Sequence, residues 1–363
     1  MRRLLAALTA LALGVLLTGT PARAAEREKW DTRVFALVPP PGAPAYVHVH
    51  TNGHVYAGTY AAPSDQRSAV FEWTRDGRLL HSWRVPGQDP SGEHGVQVAG
   101  QTRAGRLIVL DTSTSRILLL SPTTGRWRTV ATLPEGSVPN YVSWGPRGLF
   151  VTDYANGVIY RVARSGRVRV WLRDPALDGV AGFGTTGIRY LPGQHAFYVT
   201  QQTDSTGGTA PTNGVLLRIG VDDRGRPDGI EPVWSSAPTD LPDGFGIGRS
   251  GHVYIAMAGL TNRLVEVDPR TGETIDSFPD SSPDSSLGSS VGSSVGTPGT
   301  GDNGSTIPFD TPCSATFLGR SVLVANQSAV AEDSTHMAVL DVHVAERGRA
   351  PYLPSSAGFS ARR

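Results

Sequence analysis

The chain has 363 residues, a formal net charge of +1 and 18% charged residues. This balance argues against a nucleic-acid or acidic-lipid partner, because such partners require an excess of positive charge. Cys313 is the single cysteine, so no intrachain disulfide can form and the core must supply the stability.

The N-terminal residues 1–24 have the pattern of a secretory signal peptide. Arg2 and Arg3 precede a short apolar run, and the small-residue sequence "ARA" at 22–24 suits cleavage. No second long apolar run follows, so we expect an exported protein without a membrane anchor in its mature form.

After this segment the chain lacks helical periodicity and shows short apolar runs separated by turn residues. That pattern predicts an all-β fold. One unit recurs, most clearly as "YVSWGPRGLFVTDYANGVIYRVARSGRVRVWL" at residues 141–172. Its four apolar runs predict four strands, and "GPRG", "YANG" and "RSG" supply tight turns between them.

Six copies of this unit fit between residues 30 and 345, which predicts a six-bladed β-propeller with four-stranded blades. The run "RVFALV" at 33–38 has no unit of its own, and we expect it to add a strand to the last blade. A two-sheet sandwich is the alternative, but it does not explain the repeat.

Two segments are expected to be disordered. Residues 280–305 form a Ser/Gly-rich insertion with almost no apolar content, which cannot offset the entropy cost of ordering. The tail at 346–363 is predicted to be disordered for the same reason.

In a propeller, the residue before each innermost strand lies at one mouth of the central channel. The same position of each copy is therefore expected to converge there: Ala45, His94, Asn140, Thr186, Asp243 and Cys313. A glycine follows three of these residues, at Gly95, Gly187 and Gly244, which suits a place where backbones approach closely.

The blade starts "HGVQV", "PNYVSWGPRGLFVTD" and "PDGFGI" resemble those of calcium-dependent six-bladed propeller hydrolases. This superfamily includes the gluconolactonase and senescence-marker-protein family, strictosidine-synthase-like proteins and the paraoxonases. The resemblance implies a metal ion, held by oxygen ligands at the channel mouth, that polarises a lactone or ester carbonyl.

Transferred by position, the resemblance makes His94 a candidate general base and Asn140, Asp243 and Thr186 candidate calcium ligands. The sequence departs from the family at Ala45, where a glutamate is usual, and at Thr186, where asparagine is common. Calcium takes about six to eight oxygen ligands, so this set is incomplete without water and backbone oxygens. A zinc site from His94, Cys313 and Asp243 fits by ligand type but has no zinc-motif spacing.

Structural roles remain open for the same residues. His94 could hydrogen-bond a carbonyl of a neighbouring blade, and Asp243 lies in the turn-like sequence "LPDG". Two functions are therefore carried forward: a metal-dependent lactone or ester hydrolase, and a non-catalytic propeller that binds a small molecule or a protein. We expect a monomer with a small-molecule substrate or ligand.

Overall fold

We describe a computed structural model over residues 26–61, 66–205, 212–279 and 304–360. Within these residues the regular structure is β-strand, apart from two single-turn 3₁₀ helices at Pro175–Leu177 and Pro192–Gln194. The predicted all-β class is confirmed. Neither helix is long and apolar enough to cross a membrane.

The strands follow one another as antiparallel meanders. The strands of the first third of the chain are β1 (Thr32–Leu37), β2 (Pro44–Val49), β3 (Val55–Ala61), β4 (Ala69–Trp73), β5 (Leu79–Arg84), β6 (His94–Gln101), β7 (Leu107–Asp111), β8 (Arg116–Leu120) and β9 (Trp127–Thr132). Those of the middle part are β10 (Pro139–Gly145), β11 (Gly148–Asp153), β12 (Val158–Val162), β13 (Val168–Arg173), β14 (Thr185–Leu191), β15 (Ala196–Gln201), β16 (Asn213–Val221) and β17 (Pro227–Pro238). Those of the last part are β18 (Pro242–Ile247), β19 (Val253–Met257), β20 (Arg263–Asp268), β21 (Glu273–Phe278), β22 (Pro312–Leu318), β23 (Ser321–Asn326) and β24 (Ala338–His343).

Three of the sheets have four strands in chain order: β10–β13, β14–β17 and β18–β21. A fourth sheet has the order β22-β23-β24-β1, so the N-terminal run at 33–38 completes the last meander, as expected. The meanders β2–β5 and β6–β9 are joined into one eight-stranded sheet by the pairs Tyr60–Gly95 and Ala61–His94.

The first strands of these meanders contact one another in a closed cycle, in the order β2, β6, β10, β14, β18, β22 and back to β2. The sheets are therefore arranged as in a propeller, with their first strands innermost. This arrangement brings residues far apart in the sequence to a common channel.

Apolar side chains fill the spaces between neighbouring sheets. Phe150 and Phe197 pack with ring centroids 4.6 Å apart, and Trp171 meets Phe150 edge to face at 5.0 Å. Gly145 leaves room for this cluster, because a Cβ atom there would lie 2.5 Å from Cζ of Phe197. Burying one such aromatic side chain stabilises the fold by about 1.5–3 kcal/mol.

The tail does not have the disorder expected for residues from 346 onward. Residues 346–360 are described, and they run over the sheets at the end of the channel reached by the C-terminal ends of the first strands. The amide of Arg349 donates to the carbonyl of Ile247 (2.7 Å), and Ala357 is buried. Tyr352 packs edge to face on Tyr190 and Phe359 packs at a tilt on Trp144, so aromatic side chains in the tail offset the entropy cost of ordering it.

Two sequence expectations fall outside the described residues. The signal peptide at 1–24 is one, and residues 280–303 of the Ser/Gly-rich insertion are the other. At the end of that insertion, Ser305 is buried and its hydroxyl donates to the carbonyl of Ile307 (2.7 Å).

Candidate functional site

A cavity of about 780 Å³, here called the front cavity, opens where the first strands begin. It is lined by four of the six positions that the sequence predicted to converge: Ala45, Asn140, Asp243 and Cys313. In the first strands other than β6 the register shifts near the first residues, for example between Pro139 and Val142 in β10. Such bulges turn the next side chain out of the sheet, here into the channel.

Tyr46 lies at the floor of the front cavity. Its backbone φ is 50°, in the left-handed region, at the irregularity between Ala45 and Val47 in β2. The hydroxyl donates to Oδ1 of Asp243 (2.5 Å) and also contacts Oδ1 of Asn140. A phenol carries one hydrogen, so it can donate to only one of these two oxygens at a time.

The backbones crowd closely around Tyr46, as the glycine pattern predicted. A Cβ atom on Gly244 would lie 2.8 Å from Cε1 of Tyr46 and 2.9 Å from Cα of Ser314. Any side chain at this position would therefore displace Tyr46 or the neighbouring strand.

Asp243 is the one carboxylate at the floor of the cavity. Burial raises the pKa of its carboxyl to about 7, although hydrogen bonds from Tyr46 and from the Gly244 amide act in the opposite direction. Burial and the charge of Asp243 also raise the pKa of the Tyr46 hydroxyl well above its usual value. Asp243 can therefore gain or lose a proton near neutral pH, whereas Tyr46 remains a donor.

Gln97 and Thr212 line the same cavity, and each has a buried polar side-chain atom for which no partner is found in the described residues. Gln97 is 4% exposed, and within the described residues its side-chain oxygen has no hydrogen-bond partner. The hydroxyl of Thr212 likewise lacks a partner there. A buried polar atom without a partner costs about 1–3 kcal/mol, so these two atoms lower the stability of the cavity wall.

The rim of the front cavity is largely apolar, although the exposed side chain of Glu93 also lines the cavity. Three large side chains around it are unusually exposed: Phe183 (40%), Leu260 (67%) and Val330 (69%). Apolar rims of this kind favour ligands that are themselves mainly apolar.

His94 is not part of this cavity. It is fully buried, and its ring nitrogens each lie 2.8 Å from a backbone carbonyl, Nδ1 from Gly92 and Nε2 from Gln66. A ring N–H on either side therefore donates to a backbone carbonyl, which matches the structural role left open for this residue. The structure does not place His94 where it could act on a ligand beside Asp243.

The residue of β6 that does reach the cavity is Gln97. In β10, Asn140 comes directly after the residue that pairs with Asp153 of β11. In β6, Gln97 comes directly after the residue that pairs with Asp111 of β7. The two aspartates end equivalent strands, so Gln97 is the structural equivalent of Asn140. Counting back from the recurring aspartates, rather than aligning the "HG" pair, would have identified it.

Thr186 also lies outside the front cavity. Its hydroxyl contacts the side chain of Thr200 (3.0 Å) and the carbonyl of Pro242 (3.1 Å). It links β14 to its neighbours and is not available as a metal ligand.

Cys313 lines the cavity, but its thiol is held neutral. Burial, and then the charge of Asp243, raise the pKa of the thiol well above its usual value. Its sulfur lies 3.4 Å from the carbonyl of Pro44. With His94 elsewhere, the proposed zinc set is not brought together.

Calcium does not fit the side chains that converge here. Asp243 supplies the carboxylate at the floor and Asn140 one amide oxygen, and the Tyr46 hydroxyl lies within hydrogen-bond distance of both. Calcium sites in proteins use about six to eight oxygens and several charges. The Tyr46 hydroxyl therefore occupies the place between Asn140 and Asp243 that the resemblance assigned to the ion.

A second group of potential metal ligands lies away from the cavity. His252, Glu266 and Glu346 bring their ligand atoms within 4.8 Å of one another. Glu266 already pairs with Lys29 (2.6 Å) and His252 (2.6 Å), and Glu346 accepts from Ser250 and Tyr254. These contacts explain the cluster as an ion-pair network.

No protein-family model matches the chain, and no curated protein matches it in sequence. Many solved structures share its fold, among them the following three. Regucalcin from Agrobacterium tumefaciens, a calcium-binding protein, has a TM-score of 0.60 at 16% identity, covering 88% of this chain and 98% of its own. A protein proposed to be a gluconolactonase has a TM-score of 0.54 at 16% identity, covering 88% and 93%. Virginiamycin B lyase from Staphylococcus aureus has a TM-score of 0.51 at 14% identity, covering 86% and 98%.

These similarities confirm the predicted resemblance to gluconolactonase-like propellers at the level of the fold. At such identities they show the fold alone, so the function rests on the residues of the front cavity.

Proposed function

We propose that the front cavity binds a neutral, mainly apolar small molecule and that Asp243 catalyses hydrolysis of a lactone or ester bond in it. We further propose that the protein is an exported six-bladed propeller, in which β2–β5 and β6–β9 count as separate blades. The closed cycle of first strands supports this count, because each meander contributes one member.

The observation that carries the proposal is the environment of Asp243. It is a buried carboxyl at the floor of an apolar-rimmed cavity, and its pKa of about 7 lies far above the ordinary value. A general base works best when its pKa is close to the working pH. Structural carboxylates elsewhere in this chain, such as Asp111 and Asp240, are paired with an arginine, whereas Asp243 is not.

Hydrolysis at this site needs one water molecule and one substrate. Ionised Asp243 takes a proton from the water while the oxygen of that water bonds to the carbonyl carbon. The C–O bond to the leaving alcohol then breaks, and the proton passes from Asp243 to the alkoxide. The amide groups of Gln97 and Asn140 line the same cavity and can orient the substrate by hydrogen bonds.

The apolar rim supports the choice of substrate. Phe183, Leu260 and Val330 surround the opening and would contact the chain or ring attached to the reacting carbonyl. We therefore expect longer acyl groups to be preferred, since each buried CH₂ contributes about 0.8 kcal/mol.

The test is a panel of lactones and aryl esters of increasing acyl length. The wild type is compared with Asp243→Asn and with Asp223→Asn, a control in an exposed turn. We expect kcat/KM to rise with pH through a midpoint near 7, to fall about 100-fold or more in Asp243→Asn, and to be unchanged in the control. Equal turnover by Asp243→Asn and the wild type would overturn the proposal.

Non-catalytic binding is the second candidate, and the apolar side chains of Phe183, Leu260 and Val330 favour it, since they can bind a ligand without any reaction. It predicts that panel members raise the midpoint of thermal unfolding while none is hydrolysed. The same assay tests calcium, which the resemblance implies. A rise in the unfolding midpoint at millimolar calcium, absent in Asp243→Asn, would restore a metal-dependent reaction at this site.

A further inference from the structure

A second cavity, of about 600 Å³, lies at the opposite ends of the first strands and is here called the rear cavity. Strand β2 shows the relation between the two, because Ala45 and Tyr46 line the front cavity whereas His48 and His50 line the rear one. Tyr141 separates them. Its ring packs edge to face on Tyr46 at 4.4 Å, and its hydroxyl accepts from Arg189.

The rear cavity is strongly cationic. Its lining contains no aspartate or glutamate, and it contains five arginines: Arg103, Arg189, Arg249, Arg347 and Arg349. Within the described residues, none of the five forms a salt bridge, although nine other basic residues outside the histidines do. Five unpaired guanidinium groups around one cavity repel one another, and an anion would relieve that repulsion.

Arg189 lies at the floor of this cavity and is held in place. Its guanidinium stacks over the ring of Tyr141 at 4.4 Å and donates to the carbonyl of Ile188 (3.2 Å) and to the Tyr141 hydroxyl. A guanidinium has five N–H donors, so those two bonds leave three without a partner in the described residues. A planar, oriented guanidinium with free donors is the group that best binds a carboxylate or phosphate.

The histidines do not add to this charge at neutral pH. Burial, the neighbouring His50 and Arg189 lower the pKa of His48 to about 3, and burial also lowers the pKa of His50. Nε2 of His48 lies 3.2 Å from the side-chain oxygen of Gln101, so His48 serves as a neutral hydrogen-bond donor in the wall of the rear cavity.

The remaining wall is aromatic. Trp144, Tyr190, Phe317 and Tyr352 line the cavity between the arginines. Tyr352 and the two rim arginines Arg347 and Arg349 come from the tail, which is fixed here by the bond from the Arg349 amide to Ile247. The tail thus closes one side of the cavity and supplies part of its charge.

We propose that the rear cavity binds an organic anion, with a carboxylate or phosphate group on Arg189 and an aromatic or apolar body against Trp144, Tyr190 and Phe317. This site is independent of the proposed hydrolysis in the front cavity, since the two cavities share no lining residue.

The test uses isothermal titration of the full protein with 2-naphthoate, 2-naphthyl phosphate, the neutral 2-naphthamide and inorganic phosphate. We expect at least one of the two naphthyl anions to bind about tenfold or more tightly than both 2-naphthamide and inorganic phosphate. The naphthyl anion that binds more tightly identifies the acid group that the site prefers. Affinity should fall about tenfold or more in Arg189→Gln and remain unchanged in Arg169→Gln. Arg169 is an exposed residue on β13, and its substitution changes the net charge by the same amount.

A second variant provides an independent test in case Arg189→Gln does not fold. The double change Arg249→Gln with Arg347→Gln alters two exposed rim side chains for which no side-chain hydrogen bond is found in the described residues, and it should weaken the naphthyl anion about threefold or more. Any of three results would overturn the proposal. They are equal affinity for 2-naphthoate, 2-naphthyl phosphate and 2-naphthamide, no detectable binding of these compounds, and an affinity that is unchanged in the rim variant. Inorganic phosphate that binds as tightly as the naphthyl anions would overturn the assignment to an organic anion.

Discussion

The hydroxyl of Tyr46 donates a 2.5 Å hydrogen bond to Oδ1 of Asp243, and both side chains are buried at the junction of β2 and β18. This bond ties the first residues of two distant strands together at the floor of the front cavity. It also stabilises the ionised form of the carboxylate against the effect of burial.

Tyr46→Phe should therefore raise the pKa of Asp243 above about 7, because it removes the hydrogen bond that favours the ionised form. The measurement is the pH dependence of unfolding, or infrared titration of the carboxyl. Tyr56→Phe is the matched control, since it breaks a similar 2.5 Å bond to Glu72 outside the cavity. A pKa of Asp243 that is unchanged or lower in Tyr46→Phe would contradict this account.

Asp243→Asn should change how stability depends on pH. The carboxyl has a higher pKa in the folded state than the ordinary 3.8, so the folded wild type holds its proton longer and loses stability as pH rises from about 4 to about 7. Relative to the wild type, the variant should gain up to about 4 kcal/mol of unfolding free energy between pH 4 and pH 8. Urea denaturation at both pH values measures this, and a difference independent of pH would refute the raised pKa.

Gln97→Met should stabilise the protein by about 1 kcal/mol while weakening ligand binding in the front cavity, because it removes a buried oxygen that lacks a partner. Gln101→Met in the same strand provides the contrast. The Gln101 side chain donates to Thr51 (2.8 Å) and accepts from its amide (3.0 Å), so that variant should be destabilised by about 1–3 kcal/mol. Thermal unfolding of both variants distinguishes the two cases, and equal losses would mean that Gln97 has a partner in solution.

His94→Ala should lower stability by about 1–3 kcal/mol, because the ring N–H no longer donates to the carbonyl of Gly92 or of Gln66. Turnover of an ester by the folded fraction should remain close to that of the wild type. If the folded variant instead lost activity by about 100-fold, His94 would regain the role of general base that its sequence position suggested.

Deleting residues 346–363 should destabilise the protein by roughly 2–3 kcal/mol, since it uncovers aromatic surface on Trp144 and Tyr190. A control that lacks only residues 361–363 should unfold like the full chain. Chemical denaturation measures both, and equal stability of the two truncated proteins would show that the tail contributes no packing energy.

Much of the fold could be predicted from local sequence. The apolar runs and turn residues of the clearest repeat gave strands that match β11, β12 and β13 to within a residue, and the unassigned run at 33–38 pairs with β24 as expected. These features depend on side-chain alternation and on glycines at tight turns, which are properties of neighbouring residues.

The candidate site was predicted only in part. Asn140 and Asp243 do meet, whereas His94 and Thr186 are turned into the sheets and Tyr46 and Gln97 take part instead. A bulge that moves by a single residue changes which side chain enters the channel, and composition does not reveal where it falls.

The sequence by itself therefore determined a β-rich chain of repeated meanders and the residue types near the start of each innermost strand. The tertiary structure alone decided that Tyr46 joins Asn140 to Asp243, that the tail is ordered, and that five arginines from one strand, two turns and the tail surround one cavity. The physical reason is that pairing within a meander is local, whereas contacts between meanders depend on the relative positions of strands up to about 270 residues apart.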